Sequence, residues 1–171
     1  MTFNITGEFR IKIKQYSSCE PTMTHLLKFN VYLSRRSPTV LELKGNNTLL
    51  VPFDDSIISN INIAMKGSNG GWINNAEVYT MKRACSMSKF LLGKSWTSLS
   101  KAFKYDNNGE CPIKPGVYVS SGFNLDDIND NGFPKQYFYG EYKFTIKYAN
   151  DLNKMLGCQV IVVDILRPWE T

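Results

Sequence analysis

Few residues of this chain have the types and spacing that chemistry needs. There is one histidine, His25, beside a segment that alternates like a strand, where it reads as a surface or packing residue and not as a general base. No Gly-x-Ser-x-Gly elbow and no glycine-rich phosphate loop occurs. Carboxylates cluster most densely in Asp126-Asp127-Ile128-Asn129-Asp130-Asn131-Gly132. Counted from Asp127, this run opens like a calcium-binding EF-hand loop, with Asp127, Asn129, Asn131 and Gly132 at ligand and turn positions. Its twelfth position is Phe138, where a bidentate glutamate is needed, and Pro134 interrupts the register. The segment therefore reads as a solvated turn. The expectation is a protein that is not an enzyme and uses no metal and no cofactor.

The cysteines point elsewhere. Cys19, Cys85, Cys111 and Cys158 form no Cys-x-x-Cys pair, and one histidine is poor material for a structural zinc site. An even number of widely spaced cysteines suggests disulfides and an oxidising compartment, but leaves the pairing open. The sequons Asn4-Ile-Thr6 and Asn46-Asn47-Thr48 agree, making Asn4 and Asn46 candidate glycosylation sites. The expected location is extracellular, although the opening "MTFNITGEFRIKIK" lacks the apolar centre of a signal peptide. No apolar run reaches the length of a membrane span.

The net charge is +5. Lysines alternate with apolar residues in "EFRIKIK" and "EYKFTIK", as they do on solvated strand faces. The dense basic cluster is limited to Arg35 and Arg36, so no nucleic-acid partner is expected. Weak attraction to anionic head groups allows a transient membrane-surface contact. A protein partner is left unspecified.

These residues need a scaffold, and the chain spells one in strands. Glu8 to Lys14 alternates strictly, with Phe9, Ile11 and Ile13 on one face. His25 to Leu33 repeats the pattern with Leu27, Phe29, Val31 and Leu33. "TVLELKGNNTLLVPF" reads as two strands around a Gly-Asn-Asn turn, and Pro52 ends the second or marks an edge. Ile57 to Met65, the turn "KGSNGG" and "WINNAEVYTMKR" read as a hairpin. Short strands follow around Val117 and Val119, from Glu141 to Tyr148, and through "CQVIVVDIL". About eight strands separated by turn signals predict a two-sheet sandwich or barrel in one domain, residues 1–171.

One helix is expected between Cys85 and Cys111. Ser86 and Ser88 are its candidate N-caps. Leu92, Trp96, Leu99 and Phe103 form an apolar stripe at the helical period. Met87, Phe90 and Leu91 form a second apolar group off that stripe. Gly93 stands between the two and permits a bend. The stripe is expected to pack on a sheet and the second group to line a cavity, face a membrane or lie under a loop.

Three segments together resemble the arthropod secreted proteins related to the ganglioside activator protein, a group that includes insect chemosensory proteins. They are "ACSMSKFLLGKSWTSLSKAF", "NNGECPIKPGVYV" with its Cys111-Pro112 and Gly116-x-Tyr118, and "FPKQYFYGEYKFTIKY". The likeness is strongest over about Tyr79 to Tyr148; earlier, only strand pattern and Cys19 agree. The chain departs from the activator in having four cysteines where the activator has more. The wider group is the ML-like lipid-recognition class. The resemblance implies an all-β, two-sheet β-cup with an apolar cavity, and the pairings Cys85–Cys111 and Cys19–Cys158. It also implies a lipid or other apolar ligand.

The expected function is that of a secreted carrier or presenter of such a ligand, in a chemosensory, lipid-transfer or hydrolase-activating role. The alternative is a protein-binding sandwich with a filled core. Candidate ligand contacts, inward by alternation, are Val31, Leu33, Ile61, Ile63, Tyr142, Phe144 and Ile146, with Phe90, Leu91 and Trp96 from the helix acting as a lid.

Overall fold

The computed structural model describes residues 8–19, 24–133 and 138–170. Nine strands run through them: β1 Arg10–Ser18, β2 Leu27–Arg35, β3 Leu41–Leu49, β4 Ile58–Lys66, β5 Trp72–Met81, β6 Gly116–Val119, β7 Phe123–Asn124, β8 Gly140–Ala149 and β9 Met155–Leu166. Helices α1, Ala84–Leu92, and α2, Lys94–Phe103, lie between β5 and β6. The larger sheet has the order β1-β9-β8-β4-β5; the smaller has β2-β3-β6, with β7 also paired to β3. Every pairing is antiparallel. This is a two-sheet β-cup.

Alternation explains the strands. Ile11 is buried in β1 while Lys12 and Lys14 are exposed, and in β8 Tyr142 and Tyr148 are buried while Lys147 is exposed. The "KGSNGG" segment closes the β4–β5 hairpin, with Gly67 N–H donating to the Gly71 carbonyl at 2.7 Å.

Gly45, Asn46 and Asn47 are not a turn but the middle of β3, a single continuous strand. Gly45 lies opposite Val31 with φ +99°, and a Cβ there would meet the Asn30 carbonyl oxygen at 2.2 Å. The glycine serves a close strand approach, not a reversal. The asparagines are held sideways: Asn46 Oδ1 accepts from Asn30 Nδ2 at 3.2 Å and from Thr48 Oγ1 at 2.8 Å.

The expected single helix is two. Gly93, with φ +56° and ψ −127°, ends α1 and precedes α2, a conformation glycine adopts without a Cβ penalty. The break is held by the loop after β7. Gly132 N–H donates to the Leu91 carbonyl at 2.8 Å, and Ser95 N–H to the Asp130 carbonyl at 3.0 Å. Helix α1 begins at Ala84, ahead of the serines expected to cap it. Asp55 supplies an anion to its first turn instead, accepting from Ser86 N–H at 2.8 Å and Ser86 Oγ at 2.6 Å. Those two bonds hold the Asp55 carboxyl below its ordinary range.

The interior divides along the strands. Near the start of β8, Ile11, Ile63, Tyr142, Val163 and Ile165 pack together. Near its end, Leu27, Leu49, Ile57, Trp96, Tyr148 and Leu156 form a second cluster. Val31, Leu43, Phe103, Phe123 and Leu125 form a third, between the smaller sheet and α2. The disulfides join Cys19 to Cys158 and Cys85 to Cys111. The second bond ties the first turn of α1 to the chain just after α2, so both helices are tethered over one end of the cup.

Candidate functional site

Beneath the helices and between the sheets lies a partly open cavity of about 120 Å³. The helical stripe forms its roof. Leu92 from α1 and Trp96, Leu99 and Phe103 from α2 all line it, joined by Ser88. One wall comes from the smaller sheet through Phe29, Leu43, Asn47 and Leu49. The other comes from the larger sheet through Tyr16, Tyr148 and Gln159. Phe53, Tyr105 and Ile113 complete it.

Aromatic rings set the spacing. Phe29 and Phe53 approach Tyr148 with ring centroids 5.5 and 5.7 Å away, and Tyr105 meets Phe103 at 5.9 Å and Tyr118 at 4.9 Å. Trp96 is oriented by its indole N–H, which donates to the Gly109 carbonyl at 2.9 Å. Gly109 permits that approach: a Cβ there would lie 2.1 Å from Ser100 Oγ and 2.7 Å from the indole nitrogen.

Two amides enter this apolar space from opposite sheets. Asn47 Nδ2 donates to the Tyr105 hydroxyl at 2.7 Å, and Gln159 Nε2 to the Tyr148 hydroxyl at 2.7 Å. Burial raises the pKa of Tyr148 to about 12, against the opposing pull of the Gln159 bond. Burial also raises Tyr105, opposed by the Asn47 bond, and pushes Tyr16 well up, with Tyr148 and Tyr105 adding to the effect. All three phenols are neutral at pH 7, and among the described residues no lysine, arginine, histidine or carboxylate lines the cavity.

Of the expected contacts, Trp96 lines the cavity and is 5% exposed. Phe90 and Leu91 are not among its lining residues. Phe90 points outward at 71% exposure, because burying the stripe turns that face of α1 away from the sheets. Leu91 is half-buried, with its carbonyl bonded to the 130–133 loop. The stripe expected to pack on a sheet lines the cavity, and Phe90 of the second group faces out. Ile61, Ile63, Tyr142 and Phe144 lie in the packed end of the cup. Val31 and Leu33 belong to the cluster around Phe103, and Ile146 packs against that around Tyr148. Asn46 is half-buried in β3, and Asn4 falls outside the described residues.

Asn47, Tyr105, Tyr148 and Gln159 were missed, and two of them left a trace. Leu43, Gly45, Asn47 and Leu49 share one face of β3, and Gln159 heads the inward series Ile161, Val163, Ile165. A polar residue at an inward register position is the signal; reading Gly45 to Asn47 as a turn concealed the first of them.

A protein-family model described as the ML domain matches residues 14–165. Among solved structures, the crystal structure of chicken MD-1 complexed with lipid IVa aligns over 94% of this chain and 94% of that chain, with 15% identity and a TM-score of 0.38. No curated protein matches.

Proposed function

The chain belongs to the ML-domain family of lipid-recognition proteins, and on that premise we propose that it is a non-enzymatic carrier of a lipid or other apolar molecule, held between the sheets under α1 and α2. The observation that carries this reading is the aromatic cavity of about 120 Å³ beneath the tethered helices. Its lining is largely apolar with a few convergent polar groups, the usual character of a small-molecule site. It offers no ionised acid–base pair for catalysis. The same void argues against a filled, purely protein-binding sandwich.

The volume sets a limit. A dry cavity of about 150 Å³ accommodates a benzene, and this one, at about 120 Å³, is smaller, so a ring-sized group is the upper limit of what it takes. A long chain enters only if the cup widens. The two disulfides and the family support an extracellular protein folded as one domain, acting in chemosensory carriage, lipid transfer or presentation to a hydrolase.

Native mass spectrometry followed by solvent extraction tests the carrier role. A single apolar molecule bound per chain is expected. A variant with Trp72 and Trp169 replaced by phenylalanine reports entry through Trp96 fluorescence. A protein that carries nothing, takes up nothing from vesicles of neutral and anionic lipid, and shows no change at Trp96 is not a carrier.

A further inference from the structure

The two amides in the cavity are each half used. Asn47 and Gln159 are each 8% exposed. One polar atom of each amide bonds a tyrosine hydroxyl, and the other, Asn47 Oδ1 or Gln159 Oε1, has no hydrogen-bond partner among the described residues. If either amide is turned end for end, the unpaired atom becomes a donor in place of an acceptor, and one polar atom still lacks a partner. Buried polar atoms in native proteins are nearly all paired. Here the two residues that carry unpaired ones line the same small apolar cavity from facing sheets, on β3 and β9, with the unpaired oxygens tucked behind its surface.

We propose that the ligand of this cavity is an uncharged amphiphile whose hydroxyl is inserted to bond the open amide of Asn47 or Gln159, and that ionised fatty acids are excluded. This rests on the carrier reading and names its ligand class. A hydroxyl both donates and accepts, so it satisfies an amide in either orientation. Tyr105 and Tyr148 accept the amide bonds, which leaves their own O–H groups to donate to the ligand oxygen. A carboxylate would surrender its hydration and meet no cation in return, since none among the described residues lines the cavity. A pure hydrocarbon would fill the space but leave both amides unpaired.

Three water-soluble probes of matched, ring-sized shape separate these cases: benzyl alcohol, toluene and benzoate, titrated at pH 7 and followed by NMR at the Trp96 indole N–H and the Asn47 and Gln159 side-chain amides. Benzyl alcohol is expected to bind on the order of tenfold to a hundredfold more tightly than toluene, the range for satisfying one buried polar group. Benzoate is expected to be the weakest of the three. Asn47→Leu or Gln159→Leu, whichever retains native signal dispersion, should bring benzyl alcohol close to toluene. If neither variant folds, the order of the three probes on the unmodified protein decides. Toluene or benzoate binding as tightly as benzyl alcohol overturns the hydroxyl assignment and leaves the carrier reading intact. So does a preference for the alcohol that persists unchanged in both folded variants, since buried water would then be satisfying the amides. If no probe binds and the protein also fails the vesicle test above, the carrier reading itself falls.

Discussion

Along β8 the inward residues run Tyr142, Phe144, Ile146, Tyr148, and along that short run the interior changes from packed to hollow. At the packed end Ile11, Ile63, Val163 and Ile165 interdigitate around Tyr142. These are mostly branched side chains with few rotamers, the kind that fills space between pleated sheets. At the hollow end the facing groups are rings and amides, and the cover is a pair of helices. Rings held edge-on, as Phe53 is to Tyr148 and Tyr105 to Tyr118, keep their shape and leave a gap that no neighbour occupies. The difference between a core and a binding site in this fold is therefore not inwardness, which both ends share. It is whether the inward residues can close on one another.

The sharpest way to break that comparison is to remove the same volume from each end. Ile63, 1% exposed, sits in the packed end, and Ile63→Ala should cost about 2–5 kcal/mol, the range for a core aliphatic residue whose surroundings collapse incompletely. Leu49 borders the existing cavity, so Leu49→Ala enlarges a void already present and should fall near the bottom of that range. Urea unfolding of both variants gives the two values. A Leu49→Ala cost equal to or above that of Ile63→Ala would mean the hollow end is packed as tightly as the other.

Alkali probes the hollow end through its phenols. The pKa of Tyr148 is raised by burial from 10.0 to about 12 in the folded protein. Between those values the unfolded chain loses a proton that the folded chain keeps, so stability is fully present below pH 10 and is lost as pH rises towards 12. At 1.36 kcal/mol per unit, Tyr148 alone accounts for roughly 2–3 kcal/mol, and Tyr105 and Tyr16 shift in the same direction. Stability measured from pH 9 to 12 should fall with phenolate absorbance, and Tyr148→Phe should make the fall shallower. A profile flat to pH 12 would show these hydroxyls to be solvated.

Filling is the gentler counterpart of emptying. Leu49→Phe adds volume beside the void and should change stability by less than about 1.5 kcal/mol, as a swap into available space. It should nevertheless weaken ligand binding markedly. A loss of several kcal/mol would mean that the space is not available to a side chain.

The strands, their inward faces and the tethered helical segment were legible in the sequence, because alternation and helical period are local properties. The disulfide pairing followed from the family likeness. That a cavity exists followed from the same likeness, but its place and its lining were not legible. Alternation puts Ile63 and Tyr148 on the same footing, and only the meeting of two sheets and two helices separates them. Gly45 shows a related limit. Glycine before two asparagines is a turn signal on its own, yet the nearness of the Asn30 carbonyl makes the same glycine a strand residue. The division at Gly93 was anticipated as a bend, but its consequence was not. Once the stripe of α2 faces the cavity, the Phe90 side of α1 must face out.

That outward face gives the smallest effect and the finest test. Phe90 is 71% exposed and does not line the cavity, so Phe90→Ala should alter stability by no more than about 0.5 kcal/mol. If the cavity is roofed only by Leu92, Trp96, Leu99 and Phe103, the same variant should bind benzyl alcohol and longer alcohols with unchanged affinity. Two quantities then separate a static roof from a moving one. A loss of affinity at equilibrium would require Phe90 to contact ligand in the loaded protein, which means α1 turning about Gly93 as the cup fills. A slower transfer from vesicles with unchanged affinity would instead place Phe90 at the membrane surface during loading, where an exposed ring makes apolar contact. Equal affinity and equal transfer rate would leave Phe90 a solvent-facing residue with no part in either end of the comparison.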